Sequence, residues 1–129
     1  MKILKTAPDA KEYIELRMKA GLSTKSIKAA EIGLPNSLYA VLFRIDEKLV
    51  AMGRVIGDGA CFFEIVDIAV SPEHQGKGLG KAIMGHIEKF LNKATYEGSY
   101  VSLVADEPGF YKKLGYKFTA PGRGMCKRY

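Results

Sequence analysis

The stretch from Cys61 to Ala94 limits the possible folds more than any other part of the chain. It runs CFFEIVDIAV, then SPEHQGKGLG, then KAIMGHIEKFLNKA. The first segment is β-rich and apolar on both faces, so as a strand it must be covered on both sides, inside a layered sheet. From Leu79 at the end of the second segment, apolar residues repeat through the last at Ile83, Ile87 and Phe90, a helical spacing that continues to about Ala94. Between them Gly76, Gly78 and Gly80 alternate at the strand-to-helix junction. Glycines are expensive in backbone entropy, and one would suffice for a tight corner.

The flanking sequence supplies the other elements. Lys2 to Leu4 reads as a short strand. Pro8 suits the first turn of a helix whose apolar side includes Tyr13, Ile14, Leu16 and Met18, and which Gly21 ends. Ser23-Thr24 offers a cap for a second helix through Ile27 and Ala30, stopping at Gly33. SLYAVLFRI and LVAMGRVI are strands joined as a hairpin through Asp46-Glu47-Lys48, and GDGA is a second turn. YVSLVA is a further buried strand, and EPGFYKKLG a short helix stopped by Gly115. Two weak strands, around Tyr116–Phe118 and Met125–Arg128, complete the pattern. The expectation is one α/β domain over residues 1–129, a mixed sheet of about seven strands with helices on both faces.

Charge narrows the partners. A formal net charge of +6 suits nucleic acid, an anionic membrane or a phosphorylated small molecule. The chain has no run of five or more like charges, and its aromatics are not interleaved with arginines as a single-strand platform requires. Nucleic acid is therefore not the expected partner, and a small polyanion fits better. No apolar stretch is long enough to span a bilayer, and MKILKTAPDAKEY lacks the apolar core of a signal peptide. Cys61 and Cys126 form no disulfide framework; they read as small buried hydrophobes in a reducing, cytoplasmic setting. No metal site is expected.

The glycine turn fails two phosphate-binding patterns. In the dinucleotide fingerprint G-x-G-x-x-G, Gly76 and Gly78 would not be followed by Leu79-Gly80-Lys81; a nucleoside-triphosphate loop needs glycine at Gln75 and Ser or Thr at Ala82. What remains is Gln75-x-x-Gly78-x-Gly80 after a strand and opening a helix. Glycines allow close backbone approach with N–H groups turned inward, and the helix start adds free donors and the positive end of its dipole. Lys77 and Lys81 bring cations to the same place. Such a turn fits a pyrophosphate.

With these residues in view, the sequence resembles the GNAT superfamily of acetyl-CoA-dependent N-acyltransferases. IAVSPEHQGKGLGKAIM is similar to the superfamily's acetyl-CoA signature, and FYKKLGYK, Phe110 to Lys117, to its later aromatic-Tyr motif. The resemblance implies a fold in which the fourth and fifth strands, here Phe63–Val70 and Tyr100–Ala105, splay to admit acetyl-CoA. It implies that the backbone of Ile68, Ala69 and Val70 pairs with the pantetheine amides. The segment Gln75, Gly76, Lys77, Gly78, Leu79, Gly80 and Lys81 would hold the pyrophosphate, and Tyr111 would protonate the leaving thiolate. Many members carry asparagine shortly before that tyrosine, where this chain has Asp106.

Attack on a thioester also needs a neutral amine, and hence a base. Asp67 and Glu64 interrupt the apolar strand, and three positions apart in a regular strand they face opposite sides. Asp67, beside the stretch assigned to pantetheine, is the expected base or amine anchor. His74 reads as a loop residue and His86 as a helix-flank residue. In relatives the two early helices cover the acceptor, so Arg17, Lys25 and Ser26, with Arg54 on a strand, are candidates to receive a carboxylate. The expected acceptor is a small primary amine or peptide, with a carboxylate beside an α-amine favoured. The alternatives are a protein-lysine or N-terminal acetyltransferase, and a non-catalytic acyl-CoA-binding domain of the same fold. Monomer and homodimer are both open.

Overall fold

A tight hairpin starts the sheet. In the computed structural model, which describes residues 1–129, Asp46 and Glu47 take left-handed φ values of 49° and 67°, and their turn matches the twist of the strands it joins. Those strands are β2 (Tyr39–Ile45) and β3 (Lys48–Gly57). With β1 (Lys2–Leu4), β4 (Phe62–Val70) and β5 (Tyr100–Ser102) they form one sheet in the order β1-β2-β3-β4-β5. Every pairing is antiparallel except β4–β5, which is parallel because a helix, α3 (Leu79–Ala94), connects the two.

Each face of the sheet has its own core. On one, Ile83, Met84, Ile87 and Leu91 of α3 pack on Phe43, Val55, Phe63 and Ile65. Gly53 makes this closeness possible, since a Cβ there would lie 2.6 Å from Ile83 Cγ2 and 2.8 Å from Ile68 Cδ1. On the other face α1 (Ala10–Lys19) and α2 (Ile27–Gly33), with a 3₁₀ turn at Leu34–Asn36, bring Tyr13, Leu16, Ala30 and Leu34 against Leu42, Met52 and Ala69. A last short helix, α4 (Pro108–Lys112), packs Phe110 and Tyr111 at the margin of the α3 core.

Several expectations are corrected. Helix α1 is capped by Asp9 in a capping box with Glu12, so Pro8 lies before the helix, and Met18 is 61% exposed. The cap of α2 is Ser26, not Ser23-Thr24. The sheet has five strands rather than about seven. β5 ends at Ser102, and neither Tyr116–Phe118 nor Met125–Arg128 joins a ladder. All of Lys117–Tyr129 is exposed, and its internal hydrogen bonds, such as Thr119 Oγ1 to the Gly122 carbonyl, are local. That stretch lacks apolar–polar alternation, so it has no one face to bury. Both cysteines are exposed. No helix is long and apolar enough to cross a membrane.

Candidate active site

The sheet opens into a fork between β4 and β5. Their pairing covers only Phe62–Tyr100, Phe63–Val101 and Glu64–Ser102. Beyond Glu64 the β4 edge from Ile65 to Val70 faces no strand. The cause is legible on the other edge of β4. Arg54 pairs with Val66 and Met52 with Ala69, so Gly53 stands opposite both Asp67 and Ile68. Asp67 takes a left-handed φ of 59°. This is a β-bulge, which bends and twists the strand that carries it.

The bulge also reverses an expectation. Paired residues share a face, so Glu64 and Val66 face α1 and α2 with Ile56 and Arg54. In an unbroken strand Asp67 would face α3. Left-handed at the bulge, it instead meets Tyr13 and Arg17 of α1, so Glu64 and Asp67 lie on the same face. Ile68 takes the place toward α3.

Past the fork the chain is pinned and then left open. Ser71 is buried, its N–H donates to the Val50 carbonyl at 2.8 Å, and its hydroxyl lies 2.9 Å from His74 Nδ1. Gln75 Nε2 donates back to the Val70 carbonyl at 3.0 Å. His74 and Gln75 thus shape the turn through its own atoms. Gly76 and Gly78 adopt φ of 76° and 80°, and α3 starts with no side-chain cap. The first amide to find a helical acceptor is Ala82, bonded to the Gly78 carbonyl at 3.0 Å. The N–H groups from Gly76 to Lys81 have no acceptor within the chain. Consecutive free donors at a helix start, beside exposed Lys77 and Lys81, suit the oxygens of a phosphate or pyrophosphate.

Tyr111 stands on α4 close to this turn. Its neighbour Phe110 lies 3.7 Å from where a Gly80 Cβ would be. The Tyr111 ring packs edge-on against Phe110 at 4.9 Å and Tyr116 at 6.2 Å, while its hydroxyl makes no hydrogen bond within the chain. Burial, followed by the negative charges of Asp106 and Glu107, raises its pKa above the usual 10. Tyr116 differs: its hydroxyl donates to Glu88 Oε1 at 2.7 Å.

The expected base and the expected carboxylate receptors bind one another. Asp67, 8% exposed, accepts from Tyr13 Oη at 2.9 Å, from Arg54 Nε at 2.7 Å and from Arg17 Nη1. Arg17 also donates to the Ser23 carbonyl and hydroxyl, and Arg54 to the Ser37 hydroxyl at 2.8 Å. Oδ2 accepts two hydrogen bonds and Oδ1 one, and the carboxylate is buried against two guanidiniums, an arrangement that suits an anchor better than a proton acceptor. Two guanidiniums against one carboxylate leave the cluster net positive. Ser26 is occupied as a helix cap, accepting from the Ala29 N–H at 3.1 Å, and Lys25 is exposed. Glu64, half-buried at the fork, forms no ion pair and no side-chain hydrogen bond. Tyr13, on the apolar side of α1 in the sequence, also reaches this carboxylate; the signal for it is its position four before Arg17 on one helix face. A cleft of about 630 Å³ opens on the α1/α2 side between Thr6–Ala10 and Leu34–Ala40, and reaches Ser37.

Comparisons with known proteins show the family and the fold. Residues 36–118 match the family described as the Acetyltransferase (GNAT) domain. A crystal structure of a protein of unknown function from meticillin-resistant Staphylococcus aureus, described as a "Probable Acetyltransferase", superposes with a TM-score of 0.94 at 44% identity, covering 99% of this chain and 98% of that one. An "Uncharacterized N-acetyltransferase ycf52-like" of Prochlorococcus marinus is 33% identical over 121 residues, 88% of this chain and 66% of that protein. Across the first curated relatives the chain spans 63% to 66% of their length. The N-acetylglutamate synthase of Neisseria gonorrhoeae, solved with coenzyme A and L-arginine, shares the fold at a TM-score of 0.71 and 19% identity, over 92% of this chain and 28% of that one.

Proposed function

Because this chain belongs to the GNAT acetyltransferase family, we propose that it moves the acetyl group of acetyl-CoA directly to the neutral primary amine of a small acceptor, in the cytoplasm. The observation that carries this reading is the unpaired edge of β4 running straight into the free N–H groups of Gly76 to Lys81. An extended amide-bearing arm ending in a pyrophosphate needs both, in that order. Ile68, Ala69 and Val70 offer backbone groups to the arm, and Gln75 to Lys81 form the cradle for the phosphates. Acetyl-CoA supplies an activated thioester carbonyl, and the protein's residues do the rest.

A backbone N–H near Val70 receives the developing oxyanion. As the C–N bond forms and the C–S bond breaks, Tyr111 donates its phenolic proton to the departing sulfur. Its raised pKa keeps that proton in place at neutral pH. The amine's proton leaves through Glu64, by way of water, because Glu64 is unpaired and shares the face of the α1/α2 layer. Asp67 acts instead as a positioning residue that holds Arg17 and Arg54. The net positive charge of that cluster favours an acceptor with a carboxylate. An α-amine of pKa about 7.7–8.0 is appreciably neutral at pH 7, whereas a lysine amine near 10.4 is almost wholly charged.

Thiol release from acetyl-CoA, measured at one pH with free amino acids, short peptides and lysine-bearing protein, tests the reading. Release should require an amine and run fastest with an α-amine that carries a carboxylate. Faster acetylation of protein lysines than of every α-amine would overturn the acceptor assignment. Acetyl-CoA binding with no release across the panel would leave a binding domain of the same fold.

A further inference from the structure

The carboxylate of Glu64 has one polar neighbour among the positions that flank it on its face of the sheet. Paired residues share a face, and so do residues two apart along a strand, so the register names those positions. Ile56 lies across on β3 and Ser102 across on β5, while Phe62 and Val66 lie to either side along β4. All but Ser102 are apolar. Arg54, diagonal to Glu64 beside Val66, is already held by Asp67 and Ser37. Glu64 and Ser102 are both half-buried, and neither side chain makes a hydrogen bond within the chain.

Their place in the ladder is also particular. Glu64–Ser102 is the last pair of β4 and β5 before the fork. The pair before it, Phe62–Tyr100, sets two rings edge-on at 6.3 Å, so the polar pair is bordered by aromatic carbon on one side and by the opening on the other. Val101 and Leu103 pack toward the α3 core, which leaves Ser102 on the opposite face with Glu64. Neighbouring strands are about 4.8 Å apart, and a water bonded to two oxygens spans up to about 5.6 Å. The carboxylate and the hydroxyl are thus placed to share one water.

We propose that Ser102 is a positioning residue for the amine's proton: its hydroxyl and the Glu64 carboxylate together hold the water through which that proton leaves. The inference rests on the reading of Glu64 as the base and adds what fixes the water beside it. As the nitrogen lone pair forms the C–N bond, the nitrogen's proton passes to this water, and one of the water's protons passes to Glu64. The electron pair of the C–S bond leaves with the sulfur, which takes the proton of Tyr111. Ser102 ends with the proton it began with. A water held at two points has less orientational freedom to lose in the transition state than one held by the carboxylate alone.

Initial rates of thiol release, with acetyl-CoA and the amine each varied, test this in wild type and variants. S102A should lower kcat roughly 10-fold, short of the loss of the base itself, with both KM values little changed and circular dichroism the same. S102T keeps the hydroxyl and should keep most of the rate. In an E64Q background S102A should cost nothing more, because the water no longer serves a base. A wild-type rate in S102A, or equal losses in both backgrounds, would overturn the proposal. A crystal structure of the free protein reads the water without turnover: one water within hydrogen-bond distance of both Glu64 and Ser102 is expected, and two side chains that share none would overturn the proposal as well. The wild-type rate by itself judges acetyl transfer, so a failure of that reading is told apart from a failure of Ser102.

Discussion

Tyr111 carries an internal tension. Burial and the nearby Asp106 and Glu107 raise its pKa, which guarantees a proton to give but makes the phenol a weaker acid. In the proposed reaction it would therefore act in the transition state, where the sulfur carries only part of its charge. Tyr111→Phe keeps the ring contacts with Phe110 and Tyr116 and removes only the proton. We expect kcat to fall by roughly 10- to 100-fold, in the range of general-acid groups, with acetyl-CoA affinity little changed. Once the acceptor α-amine is fully neutral, above roughly pH 9, the wild-type kcat should level off and decline only beyond the ordinary tyrosine range, since a raised pKa moves the loss of the phenol's proton upward. The variant should lack this alkaline limb. Unchanged turnover with both good and poor thiol leaving groups would assign the proton to water.

At the scale of the element, the Gln75–Gly80 turn would work through its backbone in the proposed site. Gly76 and Gly78 sit at positive φ, where a side chain is strained, and Gly80 lies under the Phe110 ring. The free N–H groups reach a ligand only if no Cβ stands in the way. Gly78→Val and Gly80→Glu should therefore weaken acetyl-CoA binding more than Lys77→Ala, whose exposed charge is screened by solvent. Titration calorimetry decides: equal affinity in wild type and both glycine variants would remove the turn from the site. This element was readable in advance because glycine spacing, an apolar strand before it and a periodic helix after it are all local features. The two terminal strands were not, because a strand exists only where an edge and a buried face receive it, and residues 117–129 find neither in their own chain.

Across the molecule, the Asp67 cluster ties the helical layer to the sheet. It joins α1 through Tyr13 and Arg17, the Ser23 loop, the 34–38 segment through Ser37, and strands β3 and β4. Removing the carboxylate leaves two buried guanidiniums facing each other. Asp67→Ala should thus destabilise the fold by about 3–5 kcal/mol, the usual effect of breaking a buried pair from one side. Against a total of about 5–15 kcal/mol that is a large share. Denaturant unfolding followed by circular dichroism should show it as a lower midpoint; a midpoint within error of wild type would mean that the cluster is not structural.

The chain's local patterns were enough to specify the mixed sheet, the helix after the glycines, the donor-rich turn and Tyr111 on its short helix. Each follows from the periodicity, turn chemistry or spacing of residues near one another in sequence. The roles of Asp67, Arg17, Arg54 and Glu64 required the folded chain. A bulge opposite Gly53 turned Asp67 to the other face of β4, where arginines 50 positions before it and 13 positions before it fill its oxygens. Contacts at such separations depend on strand register, and a shift of one residue exchanges the faces. No local pattern could reveal which carboxylate stayed free.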